Sequence, residues 1–200
     1  VTVPASVKPS CTFTLDDITG VDSIYGSPVK GLSKIKVTVN AQTAYSSPID
    51  TCRIVANGAA YSGTTATTGV LKQSGNSVVT ATVTDARGRS GSVSYTMNVQ
   101  NYSAPAITAL SVHRCDEDGT SNDRGEFVKA TFSATVSSMS NKNTATYSLL
   151  YKKSTDSIYT EIPLDGLSNN FAVSNYSYIF EADGSSSYDV MVSVTDRHNG

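Results

Sequence analysis

The stretch Ser77–Val99, SVVTATVTDARGRSGSVSYTMNV, decides how the whole chain is read. In its first arm Val79, Ala81 and Val83 alternate with Thr80, Thr82 and Thr84. In its second, Val93, Tyr95, Met97 and Val99 alternate with Ser92, Ser94, Thr96 and Asn98. A period of two on both arms means two antiparallel strands, each with one face in a core and the other in water. Between them lies Asp85-Ala86-Arg87-Gly88. Asp accepts backbone N–H bonds in a tight turn, and Gly adopts a positive φ without steric cost.

The first arm and its turn recur at Tyr188–Gly200, YDVMVSVTDRHNG, with Val83-Thr84-Asp85 and Val194-Thr195-Asp196 lying 111 residues apart. That is about the length of one β-sandwich domain. The 200 residues therefore divide into a linker over 1–9, a first domain over 10–102 and a second over 103–200. Each domain reads as an immunoglobulin-like sandwich of about seven strands. No stretch sustains a 3.6-residue period, so the fold class is all-β with almost no helix. The second copy stops inside the turn, at Asp196-Arg197-His198-Asn199-Gly200, without a counterpart of Val93–Val99. The expectation is a longer protein that supplies that strand, and a second domain less stable than the first.

Composition supports this division. Hydrophobic residues make up 38% and charged residues only 16%, against about 25% charged in a typical globular domain. Ser, Thr and Asn replace the missing charge on outward strand faces. The net charge of −2 comes without blocks of either sign, so the basic stripe of a nucleic-acid binder is missing. No apolar run approaches the roughly 20 residues of a membrane helix. Cys11, Cys52 and Cys115 are three, with no close pair, and read as free thiols. Cys11 and Cys52 fall at inward strand positions.

Along the first domain, Cys11, Phe13 and Leu15 mark a first strand, and 17–31, with three glycines and a proline, a loop. Ile35, Val37 and Val39 mark a second strand. Cys52 and Ile54 lie on a third that ends at the turn Asn57-Gly58. Asn101–Pro105 is the junction. In the second domain Ile107–Arg114, the alternation Val128 to Val136, and Tyr147, Leu149 and Tyr151 repeat this order, with Ile179-Phe180 matching Val70-Leu71. Tyr188 occupies the place of a corner tyrosine, whose hydroxyl ties a loop to the sheet. The matching residue of the first domain is Ser77.

Few residues suggest chemistry. The loop Arg114-Cys115-Asp116-Glu117-Asp118-Gly119-Thr120-Ser121-Asn122-Asp123-Arg124-Gly125-Glu126 is rich in oxygen ligands of the kind Ca²⁺ takes. It lacks EF-hand spacing, and Arg114 and Arg124 could instead neutralise its carboxylates, so a salt-bridged connecting loop is the other reading. His113 and Cys115, with Cys11 and Cys52, lack the tight spacings of a structural zinc site. His198 beside Asp196, and the carboxylates Asp16-Asp17 and Glu181 with Asp183, read as turn chemistry rather than as a triad or a glycosidase pair. No catalytic, cofactor-binding or metal residue is assigned. Tyr25, Tyr45, Tyr61, Tyr102, Tyr176 and Tyr178 fall in or near loops, where a binding platform and ordinary sandwich packing are both open readings.

Several stretches together resemble the tail-associated minor structural proteins of siphophages and their prophages, including a family of siphovirus proteins of unknown function. They are Lys30–Val37, Thr84–Ser90, Asn101–Pro105 and, most specifically, Arg114–Thr120. The resemblance implies tandem immunoglobulin-like domains in a phage tail, with other tail proteins as partners and host-surface glycans as weak ligands. It implies no catalytic residues, no cofactor, and a place in the virion after synthesis in the bacterial cytoplasm. Two alternatives stay open: a bacterial cell-surface adhesin or stalk, and polysaccharide-binding accessory domains of a larger enzyme.

Overall fold

A computed structural model describes residues 7–164 and 166–198. The opening hairpin forms as β6 (Gly75–Asp85) and β7 (Ser90–Val99), antiparallel and in register from Gly75 opposite Val99 to Thr84 opposite Ser90. On its outward face three cross-strand hydroxyl pairs, Thr80–Ser94, Thr82–Ser92 and Thr84–Ser90, each close at 2.8 Å. On its inward face Val79, Ala81 and Val83 are fully buried, with Met97 and Val99 nearly so. Tyr95 departs from the expected pattern. It shares the inward face yet lies at the rim of the sandwich, 57% exposed.

The hairpin belongs to the first of two compact units, Val1–Tyr102 and Ser103–Gly200. The first unit adds β1 (Ser10–Asp17), β2 (Ile35–Gln42), β3 (Ile49–Ala56), β4 (Ala59–Ser62) and β5 (Thr65–Thr67). One sheet runs β1-β2-β5 and the other β4-β3-β6-β7. This three-on-four arrangement is an immunoglobulin-like sandwich. Between the sheets lie Ile35, Val37, Val39, Ile54, Val79, Ala81 and Val83. Asn57 (φ 50°) and Gly58 (φ 73°) turn β3 into β4, with the two positive φ angles of a type I′ hairpin.

The segment 17–31 is not wholly loop. It contains a short helix, α1 (Val21–Tyr25), which buries Val21 and Tyr25 one turn apart. Asp17 organises the entry, its carboxylate accepting from the Thr19 N–H and hydroxyl and from the Asp22 N–H. Gly26, at φ 86°, closes the helix with its N–H on the Asp22 carbonyl. A five-residue helix is shorter than the window in which a 3.6 period becomes visible, so only the Val21/Tyr25 spacing marked it.

The second unit holds β8 (Ala106–Cys115), β9 (Phe127–Thr135), β10 (Thr146–Lys153), β11 (Thr160–Ile162), β12 (Ala172–Glu181) and β13 (Tyr188–Thr195). Its sheets run β12-β9-β8 and β11-β10-β13. Strand for strand this matches the first unit, except that nothing among the described residues corresponds to β7. Phe132, Ala134 and Tyr147 form one part of the core, and Val128, Ala130, Leu149 and Phe180 the other. Phe180 stacks on Tyr151 with ring centroids 4.1 Å apart. The ten-residue β12 replaces the three-residue β5, and its alternation escapes the sequence for a physical reason. A bulge between Val173 and Tyr176, with Asn175 at φ 49°, puts two inward residues three positions apart.

All three cysteines are free and buried, Cys11 and Cys52 within the first core and Cys115 at the end of β8. Burial pushes each thiol up from its ordinary pKa, which suppresses the thiolate that reacts. Native protein at neutral pH is therefore expected to leave all three unlabelled by iodoacetamide over minutes, and unfolded protein to label at all three. Rapid labelling of native protein, read by mass spectrometry, would contradict this burial.

Candidate functional site

The polar residues with the strongest chemical promise converge at one end of the second unit, where the loop after β8 meets the corner between β12 and β13. The loop is shaped by its own backbone. The Asp116 N–H bonds the Thr120 carbonyl, Gly119 N–H the Asp116 carbonyl, and Asn122 N–H the Arg114 carbonyl, at 2.9, 2.9 and 3.1 Å. Gly125 is buried, and a Cβ there would sit 2.0 Å from the Cys115 carbonyl oxygen, so only glycine lets the loop return past its origin.

Asp116, Asp118 and Asn122 use their side chains to hold this shape. Asp118 Oδ1 accepts from the Thr120 N–H at 2.8 Å and Asp116 Oδ1 from Asn122 Nδ2 at 2.7 Å. Asn122 Oδ1 accepts from the Arg124 N–H at 3.0 Å. The bonds from Thr120 hold the Asp118 carboxyl below its ordinary range. Arg114 does not neutralise the carboxylates. Its guanidinium donates to three backbone carbonyls instead: Gly125 at 2.9 Å, Asp183 at 2.9 Å, and Ser186. It thereby ties the loop to the β12–β13 corner. The salt-bridged reading of the loop is corrected accordingly, since hydrogen bonds shape it. Among the described residues no group of three or more His, Cys, Asp or Glu is placed to hold a metal ion.

At the corner the expected tyrosine bond is present, with the Asp183 N–H donating to the Tyr188 hydroxyl at 2.9 Å. The Asp183 carboxylate accepts from the Ser185 N–H and hydroxyl, the Ser186 hydroxyl and Lys153 Nζ. The Ser185 bonds lead in holding it far below the usual carboxylate range. A carboxyl held ionised this firmly cannot serve as a general acid near neutral pH. Because the Asp116 and Asp118 carboxylates are bound to the loop's own frame and no metal-holding cluster forms among the described residues, Ca²⁺ at millimolar concentration is expected to leave the melting curve unchanged and to give no calorimetric heat. A calcium-dependent rise in melting temperature would show that the loop rearranges around the ion.

The remaining candidates are structural as well. Asp196 Oδ1 accepts from the main-chain N–H of His198, and Oδ2 from Asn143 Nδ2, which also bonds the Ser137 carbonyl. In the first unit the equivalent Asp85 accepts from the N–H groups of Arg87 and Arg89 and pairs with the Arg89 guanidinium at 2.6 Å. Sequence reading missed the Arg89 partner, although its four-residue spacing from Asp85 was the available signal. His113 lies opposite Lys129, outside the sandwich core. Of the tyrosines, Tyr25 and Tyr102 are buried, and Tyr61 packs on the first core. Tyr176 and Tyr178 are strand residues of β12 rather than loop residues, and Tyr176 lies 5.6 Å from Phe132. Tyr45 is the exposed member of the set, at 67%. Sequence reading had also placed Tyr95 in the core, whereas it lines an open apolar depression with Phe13, Leu15 and Val93.

Fold and polar networks together define a tandem immunoglobulin-like β-sandwich whose charged residues secure turns and corners. Within that class, the chain belongs to a family of siphovirus proteins of unknown function (DUF859), whose model matches residues 1–189. No curated protein matches the sequence. Among solved structures, the chain is similar to the PKD1 domain of the Vibrio cholerae metalloprotease PrtV. That match has 22% identity, covers 47% of this chain and 99% of that one, and has a TM-score of 0.36. It is also similar to carbohydrate-binding modules of the β-sandwich superfamily (14% identity, 96% and 92% covered, TM-score 0.38). A third is the FN1–FN3 segment of chicken CNTN1 (13% identity, 96% and 62% covered, TM-score 0.39).

Proposed function

We propose that this chain is a non-enzymatic structural segment of a siphovirus tail, two sandwich units in series that space other tail proteins in the virion. The family match over residues 1–189 carries this reading. The duplicated sandwich supports it, because each unit has its own core and can act as a length element. Immunogold labelling of intact phage with antibody against residues 10–200 tests it. Label on the tail is the expected result, and label absent from purified virions would overturn it.

Weak adhesion to host-surface glycans is the second property we propose, placed at the depression of Phe13, Leu15, Val93 and Tyr95. An exposed tyrosine ring beside an apolar floor offers a stacking face for a sugar ring. Glycan-array binding that is lost in Tyr95→Ala is expected. Silence across host-wall glycans would leave the spacer role alone and remove the adhesive one.

A further inference from the structure

Asn57 and Gly58 form the two-residue turn between β3 and β4, beyond the closing pair Ala56 and Ala59. In an Asn-Gly pair the side-chain carboxamide is open to attack by the next backbone nitrogen, because glycine has no Cβ to block the approach. Gly58 is exposed and Asn57 half-buried. A surface cleft lined by Asn57, Gly58, Lys72 and Gln73 brings water to the pair.

The Asn57 carboxamide is nevertheless occupied. Residues 69–72 cross from β5 to β6 without belonging to a strand, so their backbone groups need partners from elsewhere. Leu71, buried in the first core, donates its N–H to the Ser33 carbonyl at 3.0 Å. Its own carbonyl accepts from the Gly31 N–H at 2.9 Å. The groups on either side of Leu71 are taken up by one side chain. Asn57 Nδ2 donates to the Gly69 and Val70 carbonyls at 3.3 and 3.0 Å, and Oδ1 accepts from the Lys72 N–H at 3.2 Å. This clamp needs both donors and the oxygen of a carboxamide. An ionised aspartate offers acceptors alone and would face two carbonyl oxygens.

We propose that Asn57 is a site of spontaneous deamidation held in check by this clamp, and that conversion releases residues 69–72. In the reaction the Gly58 nitrogen bonds to Asn57 Cγ and the Cγ–Nδ2 bond breaks. Ammonia leaves, carrying the Gly58 amide proton. Water then opens the cyclic imide at either carbonyl, giving aspartate or its β-linked isomer, with no change of oxidation state. While the clamp is closed, the carboxamide must let go of three partners before Gly58 can attack. After conversion both Nδ2 donors are gone, and the new carboxylate repels the Gly69 and Val70 carbonyls. The isomer also adds a backbone carbon to a turn whose geometry depends on two residues. The matching connection of the second unit, residues 154–159, contains no asparagine, so the change is specific to the first unit's turn. The proposal does not depend on the tail assignment.

Peptide mapping of the 200-residue chain at mildly alkaline pH, folded and in guanidinium chloride, reads the reaction directly. Asn57 is expected to convert at least about tenfold more slowly in the folded chain. Guanidinium below the unfolding transition should speed Asn57 conversion and Lys72 amide exchange in parallel, because one opening frees both groups. Asn57→Asp should speed exchange of the Lys72 amide at least about tenfold, read by NMR, with the Val79 and Val83 amides unchanged. Equal conversion in folded and unfolded chain would overturn the clamp, as would conversion that stays constant while Lys72 exchange rises. An unfolded chain that does not convert at Asn57 would overturn the site itself. Unchanged Lys72 exchange in Asn57→Asp would overturn the release of residues 69–72.

Discussion

Phe132→Ala is expected to lower the stability of the second unit by about 3–5 kcal/mol, the usual range for emptying a buried aromatic site. Phe132 is fully buried on the central strand β9, with its ring centroid 6.3 Å from that of Tyr147 and 5.6 Å from that of Tyr176. Its other core neighbours include Ala134, Ala145 and Val136, which are too small to collapse into the space left behind. A loss of this size is a large fraction of the roughly 5–15 kcal/mol that holds a typical domain folded. Because the second core is separate from the first, unit two should exchange most of its amides while unit one keeps its protection. Exchange mass spectrometry resolves the two. A loss spread equally over β1–β7 would contradict the separate cores, and Phe132→Leu should recover most of the stability.

Asp85→Ala is expected to damage the first unit more than Arg89→Ala does. The Asp85 side chain is enclosed and receives two backbone N–H bonds and the Arg89 guanidinium, so removing it strips partners from the whole turn. Removing Arg89 leaves those backbone bonds in place. The pH dependence follows from the same contacts. Enclosure alone would raise the Asp85 pKa, but the bonds from Arg89 and Arg87, with the Arg89 charge, outweigh it and lower the value to about 2. A folded-state pKa below the unfolded one means that the stabilisation is present above about pH 4 and is lost as pH falls through about 2. Asp85→Asn should accordingly be less stable at pH 7 and lose less stability than the natural chain between about pH 4 and 2. Equal acid slopes for the two proteins, measured by thermal melts, would show that Asp85 contributes none of the dependence.

Much of this architecture is legible in the sequence because a strand exposes its period directly. The alternations at Val79–Val83, Ile35–Val39 and Val128–Ala134 mark buried faces that the structure reproduces residue by residue. Tyr188 was legible because its bond is local: at the start of β13 its hydroxyl accepts from the Asp183 N–H five residues back. What resisted reading involves partners distant in sequence or a broken period. Arg114 reaches carbonyls up to 72 residues away, and no local spacing announces that. Asn175 shifts the β12 register, so Tyr176 and Tyr178 read as loop residues although they face the core. The acidic loop left two readings open, because carboxylates that could surround an ion are indistinguishable in sequence from carboxylates that cap their own turns.

The sequence by itself determined the class of fold, the duplication and the hairpin that measures it, because alternating polarity and turn residues act over a few neighbours. Only the tertiary structure decided which polar groups are committed to the frame and which apolar ones remain uncovered. Leu110 and Val112 look like ordinary inward strand residues in the chain. Their exposure is seen only once β8 is paired with β9 and seated across from β13, contacts between segments far apart in sequence.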